Sequence, residues 1–325
     1  MSEHPRDRFD LIPDASAEAA FLDAQAKGRL HHAWLLCGVE GSGKATFAYR
    51  AARRLLGAAP DPSRGVLGTD PYDHVARMIS AQSHPDLLVL ERAVEGGKTK
   101  KSISVDQARD LPEFFSKSPS QSPYRVAIID AADDLNLNAA NALLKVLEEP
   151  PERGVLFLVT HAPGRLLATI RSRCRRLAFP VWPQHALEDL VRNKTGVPSA
   201  EAVRIAGMAG GSPGLALSLA SGATLEADQL AQDWVAAPEI NRAEAMAISD
   251  KFRGAEGQER FETLMERLIA AVKVRALEEG ASGARWAELW SRLSELPERA
   301  AGINLDRADV LAGALADLQR TKAAR

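Results

Sequence analysis

Short apolar runs alternate with longer segments of helical periodicity between residues 17 and 179. The runs are rich in Leu, Ile and Val and too short for helices, so they predict strands buried on both faces of a sheet. These strands are predicted at residues 33–37, 86–90, 125–130, 155–160 and 175–179. The helical patterns cover residues 17–27, 44–56, 74–82, 105–116, 139–149 and 166–170. We expect Pro112 to kink the fourth of these helices or to end it early. Strands and helices in alternation predict an α/β domain with a five-stranded parallel sheet.

The pattern changes after the segment Phe179-Pro-Val-Trp-Pro183. No strand pattern follows this segment. Helical periodicity covers residues 186–193, 200–208, 214–221, 261–277 and 300–318. The chain is therefore predicted to form an α/β domain at residues 1–179, a small helical domain at 180–222 and an all-α domain at 223–325.

The composition is that of a globular protein without a strong overall field. The formal net charge of the 325 residues is −2, so no net potential draws the chain to nucleic acid or to an anionic membrane. No apolar run approaches the ~20 residues that a membrane span needs. Two cysteines are present, Cys37 and Cys174, and they match no zinc spacing. We expect a reduced, cytoplasmic protein that contacts no membrane.

A glycine-rich loop between the first predicted strand and the second predicted helix fits a phosphate-binding pattern. Residues 38–46 read GVEGSGKAT and match G-x-x-x-x-G-K-[ST] at every position but the last. The glycines that let the backbone N–H groups face phosphate are Gly38, Gly41 and Gly43. Lys44 would reach the β- and γ-phosphates, but Ala45 stands where a hydroxyl would bind Mg²⁺. Thr46 follows one position too late, about 100° further round the helix.

An acid ends a strand downstream of this loop, as in phosphate-loop NTPases. Asp130 closes the third predicted strand, where such an acid holds Mg²⁺ directly or through water. An isolated Asp in this position is more often a helix-capping or surface residue, but downstream of a matching glycine loop the metal-binding role is favoured. The next residue, where active ATPases place the carboxylate that positions water, is Ala131. Asp133 and Asp134 come next and have the character of helix-entry residues.

Four motifs, in this order, resemble the bacterial clamp-loader family of AAA+ proteins. They are His31-His32-Ala33, Ser83-His84-Pro85-Asp86, the run NAANALLKVLEEPP at residues 138–151 and TIRSRC at residues 169–174. The resemblance covers roughly residues 29–215. It implies an AAA+ P-loop domain, a helical lid and an all-α collar that holds a ring of subunits together.

The resemblance also implies roles for individual residues. Arg173, in Ser-Arg-Cys, would be an arginine finger offered to ATP in a neighbouring subunit, although a surface arginine of the basic cluster at 171–176 is the alternative. Thr160 would be the first phosphate sensor, with a strand-end cap as the alternative. Motor subunits carry an Arg in a Gly-Ser-x-Arg segment of the lid, where this chain has Gly214. Many relatives also carry a four-cysteine zinc module where residues 57–82 contain no cysteine.

These substitutions predict a subunit of the loader that does not turn ATP over. We expect ATP or ADP to bind, if at all, without hydrolysis, and we expect no zinc or other metal and no polymerase activity of its own. The implied partners are the gamma/tau ATPase subunits and the delta subunit, with the sliding clamp and primed DNA engaged through the complex.

Three other functions have some support in the sequence. An active ATPase motor subunit of the same machine would use the intact Lys44, and a phosphate-loop kinase would use the same loop on a small acceptor. A direct DNA-binding module would use the basic residues at 98–101 and 171–176. Short basic clusters on a near-neutral chain are more often solvated surface.

Overall fold

The computed structural model describes residues 4–10, 14–95, 98–100, 102–220, 222–252, 254–279, 283–303 and 305–323. The chain divides into two compact units, residues 1–217 and residues 218–325. The first unit contains the predicted α/β region together with two further helices and the start of a third. The division into three domains with a boundary at residue 179 stays a prediction.

A five-stranded parallel sheet forms the centre of the first unit, in the strand order β2-β5-β6-β1-β7. Its strands are β1 (Ala33–Cys37), β2 (Leu87–Glu91), β5 (Arg125–Asp130), β6 (Gly154–Thr160) and β7 (Arg175–Ala178), and β3 (Val94–Glu95) pairs with β4 (Lys98–Thr99) in a separate hairpin. The helices between them are α1 (Ala15–Ala26), α2 (Lys44–Leu55), α3 (His74–Ser80), α4 (Val105–Ser116), α5 (Leu137–Glu148) and α6 (Ala168–Ser172). The predicted α/β class and five-stranded sheet are confirmed.

Both faces of the sheet are covered because successive side chains of each strand point to opposite faces. In β1, Trp34 joins the core formed with Phe21 of α1 and Phe47 of α2. Leu35, the next residue, joins a second core with Leu143 of α5. The continuous burial of β1, β5 and β6 explains why these strands read as unbroken apolar runs.

Helix α4 continues through Pro112 to Ser116, so the expected early end is wrong. A capping box between Ser104 and Gln107 fixes the start of the helix. Leu111 and Phe115 are buried against the sheet on either side of the proline. This apolar contact offsets the backbone hydrogen bond that proline cannot donate.

The motif Ser83-His84-Pro85-Asp86 has a structural role. The Asp86 carboxylate is fully buried and accepts hydrogen bonds from the backbone N–H groups of Ser120 and Gln121, both at 2.8 Å. His84 accepts from the Asp86 N–H at 3.1 Å. Burial lowers the pKa of His84, which keeps the ring neutral for this role. The motif therefore fixes the turn that leads into β5.

Residues 184–217 complete the first unit with helices, and the second unit is helical throughout its described part. The helices are α7 (Gln184–Thr195), α8 (Ser199–Met208), α9 (Pro213–Leu219), α10 (Gly222–Ala236), α11 (Arg242–Ser249), α12 (Gly254–Glu278), α13 (Ala284–Ile303) and α14 (Arg307–Ala323). The predicted single helix at 300–318 is wrong, because α13 ends at Ile303 and α14 begins at Arg307. The Asp306 side chain accepts from the Ala308 N–H at 2.8 Å and so caps the start of α14.

The second unit has its own apolar core. Trp234, Phe261, Leu268, Leu289 and Leu311 are among the side chains that α10 and α12–α14 bury together. None of the helices in the described ranges combines the length and apolar character needed to cross a bilayer.

A buried ion pair ties α1, α2 and the loop after α2 together. The guanidinium of Arg50 donates to both carboxylate oxygens of Glu18, at 2.5 and 3.1 Å, and both side chains are almost completely buried. Arg50 also donates to the carbonyl oxygens of Phe9 and Arg64, and Glu18 accepts from the Leu67 N–H at 3.2 Å. Charged groups tolerate burial when their donors and acceptors are paired in this way.

Glu18→Ala should lower the free energy of unfolding by about 3–5 kcal/mol, because it leaves the Arg50 charge buried without its carboxylate. The exposed pair Lys27–Asp23 on the same helix provides the control. Asp23→Ala should cost no more than about 0.5 kcal/mol. Denaturant unfolding of both variants measures the difference, and equal losses would contradict the role of the buried pair.

Candidate functional site

The loop that follows β1 lies at the carboxyl edge of the sheet and leads directly into α2. Gly41 and Gly43 have φ angles of 71° and 92°, in the left-handed region that glycine adopts without strain. A Cβ on Gly38 would lie 2.6 Å from the carbonyl oxygen of Phe179. The backbone conformation and packing of this loop therefore require glycine at all three positions of the pattern.

Lys44 is turned into its own loop. Its ammonium donates to the carbonyl oxygens of Gly38 and Val39, at 2.7 and 2.6 Å, and lies 3.4 Å from the Ser42 hydroxyl. The residue is 2% exposed. Burial lowers the pKa of Lys44 to about 8, and the Asp130 carboxylate nearby works in the opposite direction. An ammonium has three N–H donors, and the loop engages all of them.

Asp130 and Thr160 end the neighbouring strands at the same edge. Cys37, the last residue of β1, is paired in register with Thr160. Burial raises the pKa of Asp130. The Thr160 hydroxyl donates to a carboxylate oxygen of Asp133 at 2.8 Å. The structure therefore brings Lys44, Asp130 and Thr160 to one edge of the sheet, with the Thr160 hydroxyl engaged in a strand-end contact.

Asp133 has a role that the sequence did not indicate. It lies in the 3-10 helix 132–134, but its carboxylate also accepts from the N–H groups of His161 and Ala162, at 2.6 and 3.2 Å. Asp133 thus fastens the loop after β6. Asp134 forms an ion pair with Arg92 at 3.2 Å.

The hydroxyl that Ala45 lacks is not supplied by its neighbour. Thr46 lies in the first turn of α2 and is 1% exposed. Ala45 is partly exposed and packs at the margin of the core that includes Phe47. The structure thus places Thr46 within the packed interior of the domain.

The start of α9 closes directly onto the loop. The Ser212 hydroxyl donates to the carbonyl oxygen of Glu40 at 2.8 Å, and the Gly214 N–H donates to the carbonyl oxygen of Gly41 at 2.9 Å. A Cβ on Gly214 would lie 2.8 Å from the Cα of Gly41. Only glycine permits this approach, so an arginine at this position would separate the two segments.

These contacts test whether the site fits a nucleotide. A phosphate in the loop would have to replace the carbonyl partners of Lys44 and displace the bonds between residues 212–214 and 40–41. Neither Ala45 nor Ala131 has a side-chain oxygen to offer to a metal ion. In this arrangement the residues present do not fit a magnesium nucleotide.

Arg173 lies at the opposite edge of the sheet. It shortly precedes β7, whose first residue pairs with Trp34 near the start of β1 and whose last residue, Ala178, pairs with Cys37. At ~3.3 Å per residue, the length of β1 separates the two edges by about 15 Å. Arg173 is therefore not part of the glycine-loop site.

Two contacts hold the Arg173 side chain, which is 36% exposed. Nη1 donates to the Thr169 carbonyl oxygen at 3.0 Å, and Nη2 lies 3.0 Å from a carboxylate oxygen of Glu148. The contact of Glu148 with Arg173 and that of Ser212 with Glu40 could not be predicted from the sequence. Both contacts join segments that are distant in the chain, and no spacing rule connects them.

The basic clusters at 98–101 and 171–176 and the expected absence of zinc are the remaining predicted features. Arg175 lies over the ring of Trp34, with 4.9 Å between its guanidinium carbon and the ring centroid. Lys101 of the other basic cluster lies outside the described residues. Within the described ranges, no group of three His, Cys, Asp or Glu side chains is placed to hold a metal ion. The absence of zinc stays a prediction.

Comparison with known proteins identifies the family. Residues 14–182 match the family described as DNA polymerase III, delta subunit. The chain is 38% identical over 195 residues to the DNA polymerase III subunit delta' of Pseudomonas aeruginosa, covering 59% of this chain and 57% of that relative. The chain belongs to the DNA polymerase III delta-prime family.

Similarity extends beyond the delta-prime family. The chain is 32% identical over 187 residues to the DNA polymerase III subunit gamma/tau of Mycobacterium tuberculosis, covering 58% of this chain and 31% of that one. A gamma subunit-related protein of Thermotoga maritima has a TM-score of 0.48 at 18% identity, covering 90% of this chain and 95% of that structure. The chain spans less than two thirds of the length of the Pseudomonas relative.

Gly214→Ala should lower the free energy of unfolding of the first unit by about 1–3 kcal/mol, because the new methyl group meets backbone atoms of the glycine loop. The control is Gly207→Ala in α8, where nothing lies within 4 Å of the added Cβ. That change should leave stability unchanged or raise it by up to about 1 kcal/mol. Denaturant unfolding distinguishes the two, and a tolerated Gly214→Ala would show that the loop and α9 are not in close contact.

Proposed function

We propose that this chain is a largely non-hydrolysing clamp-loader subunit that presents Arg173 to ATP bound in a neighbouring AAA+ subunit. The observation that supports this most directly is the position of Arg173. It is partly exposed and lies at the edge of the sheet opposite the chain's own glycine loop. An arginine in that position acts on a nucleotide of another subunit or on none.

The chemistry of a guanidinium suits this role. It is planar, permanently charged and carries five N–H donors in a fixed fork that matches phosphate oxygens. Negative charge on a transferring phosphoryl group is stabilised by such a side chain, which a second protein can supply. The polypeptide that carries the arginine needs no hydrolytic site of its own.

The glycine loop of this chain, in contrast, lacks groups that assist ATP hydrolysis. Three groups that assist hydrolysis are replaced, by Ala45, Ala131 and Gly214. Loss of one electrostatic stabiliser of a transition state typically lowers the rate by roughly 10²-fold or more. The Lys44 ammonium is also engaged by the carbonyl groups of its own loop. We propose that the loop turns no ATP over and that bound ATP or ADP has no catalytic part.

The proposed partners follow from the family. Relatives named as delta' and gamma/tau subunits of DNA polymerase III match this chain. We propose that this chain assembles with ATPase subunits of the gamma/tau type and with a delta subunit. The complex, rather than this chain alone, would engage the sliding clamp and primed DNA.

Arg173→Ala tests the proposal in a complex reconstituted with the gamma/tau and delta subunits of the same organism. We expect assembly to be intact by gel filtration, since the side chain is on the surface. ATP turnover at the adjoining site should fall by about 10²-fold or more, which removes that site's share of the DNA- and clamp-stimulated rate. Arg171→Ala, an exposed arginine of the same cluster, is the control and should keep the full rate. An unchanged rate in Arg173→Ala would refute the arginine-finger role.

The alternative is an active motor subunit, which the similarity to gamma/tau subunits favours. Phosphate release by the isolated chain distinguishes the two functions. We expect a rate at least about 10²-fold below that of a gamma/tau subunit assayed beside it. Ala45→Thr should not restore turnover, because Ala131 and Gly214 are still in place. Magnesium-dependent turnover at the gamma/tau rate would favour the motor.

A further inference from the structure

Arg173 has an anionic partner whose position is set by a different helix. Glu148 is the last residue of α5, and its carboxylate lies 3.0 Å from Nη2 of Arg173. Arg173 is the C-cap of α6 and donates through Nη1 to the Thr169 carbonyl oxygen of that helix. The guanidinium is thus bound on two sides, by a side chain of α5 and by the backbone of α6.

The backbones that carry this pair are anchored in the core. Leu147, which precedes Glu148, is 3% exposed, and Ile170 of α6 is 1% exposed. Both belong to the apolar cluster that covers one face of the sheet, and α5 packs against α6. The ends of the two helices are therefore fixed relative to each other, and the carboxylate is presented at a defined place.

The Glu148–Arg173 ion pair contributes little to folding stability. Glu148 is 53% exposed and Arg173 is 36% exposed, and ion pairs at such sites contribute little because water and salt screen them. Its effect is on the orientation of the arginine, whose long side chain otherwise samples many rotamers. Two bonds restrict these rotamers, and a guanidinium with five N–H groups keeps further donors for a phosphoryl oxygen.

We propose that Glu148 is a positioning residue for Arg173, holding the guanidinium in the orientation in which it meets the phosphates of the neighbouring subunit. The inference rests on the proposed function, since it assigns to Glu148 a part in the same reaction. Glu148 acts through Arg173 and touches no substrate itself. Without it, the arginine spends much of its time in unproductive rotamers.

The test measures the stimulated ATPase rate of the full complex. The part of this rate that is lost in Arg173→Ala is called the Arg173-dependent rate. Glu148→Ala should lower this rate roughly 10-fold, since misplacing a catalytic group by about 1 Å has effects of up to about 10²-fold. The effect should fall on kcat, with the KM for ATP and the assembly unchanged. Glu148→Gln keeps the shape and one acceptor oxygen, so it should retain more of the rate than Glu148→Ala.

Two further variants distinguish positioning of Arg173 from a general effect of surface charge. Glu149→Ala removes the adjacent exposed carboxylate and should leave the rate unchanged. Glu148→Ala combined with Arg173→Ala should be no slower than Arg173→Ala alone, because a positioning residue has nothing left to position. A further loss in the double variant, an equal loss in Glu149→Ala, or a faster rate in Glu148→Ala would each overturn the inference.

The outcomes also distinguish this inference from the proposed function. If Arg173→Ala lowers the rate and Glu148→Ala does not, only the positioning role of Glu148 is wrong. If Arg173→Ala has no effect, the arginine-finger role and the positioning role are both wrong.

Discussion

The parallel direction of the five strands is the constraint on which the arrangement of functional groups depends. Every strand of such a sheet ends at one edge, so loops that follow strands are separated by a strand's length from segments that precede them. The glycine loop, Asp130 and Thr160 follow strands and meet at the carboxyl edge. Arg173 and Glu148 precede strands and meet at the amino edge. One fold therefore carries a glycine loop at one edge of the sheet and an arginine at the other edge that cannot reach it.

The two edges also differ in how their charges are used. At the carboxyl edge, Lys44 is buried and its ammonium is satisfied by carbonyl oxygens of its own loop. A buried cation without such partners would be unstable, so the loop and the lysine stabilise each other. At the amino edge, Arg173 is partly exposed and paired with a half-exposed carboxylate. The guanidinium is thus reached by solvent, whereas the ammonium of Lys44 is enclosed by its loop.

Much of the sheet could be predicted because its signal is local. The runs at 33–37 and 125–130 are apolar almost throughout, since both faces of these strands are buried, and their predicted bounds agree with the structure. The glycine pattern likewise encodes its own backbone, through left-handed φ angles at Gly41 and Gly43. In both cases the structure of a segment is determined by the residues of that same segment.

The remaining features depend on contacts between distant segments, which no local pattern records. The helix around Pro112 survives because of burial against the sheet, and Asp133 is recruited by backbone N–H groups at 161–162. The bonds from Ser212 to Glu40 and from Arg173 to Glu148 join residues that lie far apart in sequence. The arginine-finger role proposed for Arg173 rests on resemblance, since the sequence around Arg173 is otherwise that of a basic surface cluster.

The loop after α2 shows how a segment without cysteines is held in place. Its backbone is bound at Arg64 and Leu67 by the buried Arg50 and Glu18, which also bind each other. A metal ion fixes a loop by coordinating several side chains of the loop itself, and therefore needs ligand residues there. Here the charges of the buried pair lie on α1 and α2, and the loop binds this pair through a carbonyl oxygen and an N–H group. Side chains of the loop add to this, because Asp61 caps the 3-10 helix Pro62–Arg64 and Leu67 is fully buried. The loop is therefore held both by the ion pair and by its own residues.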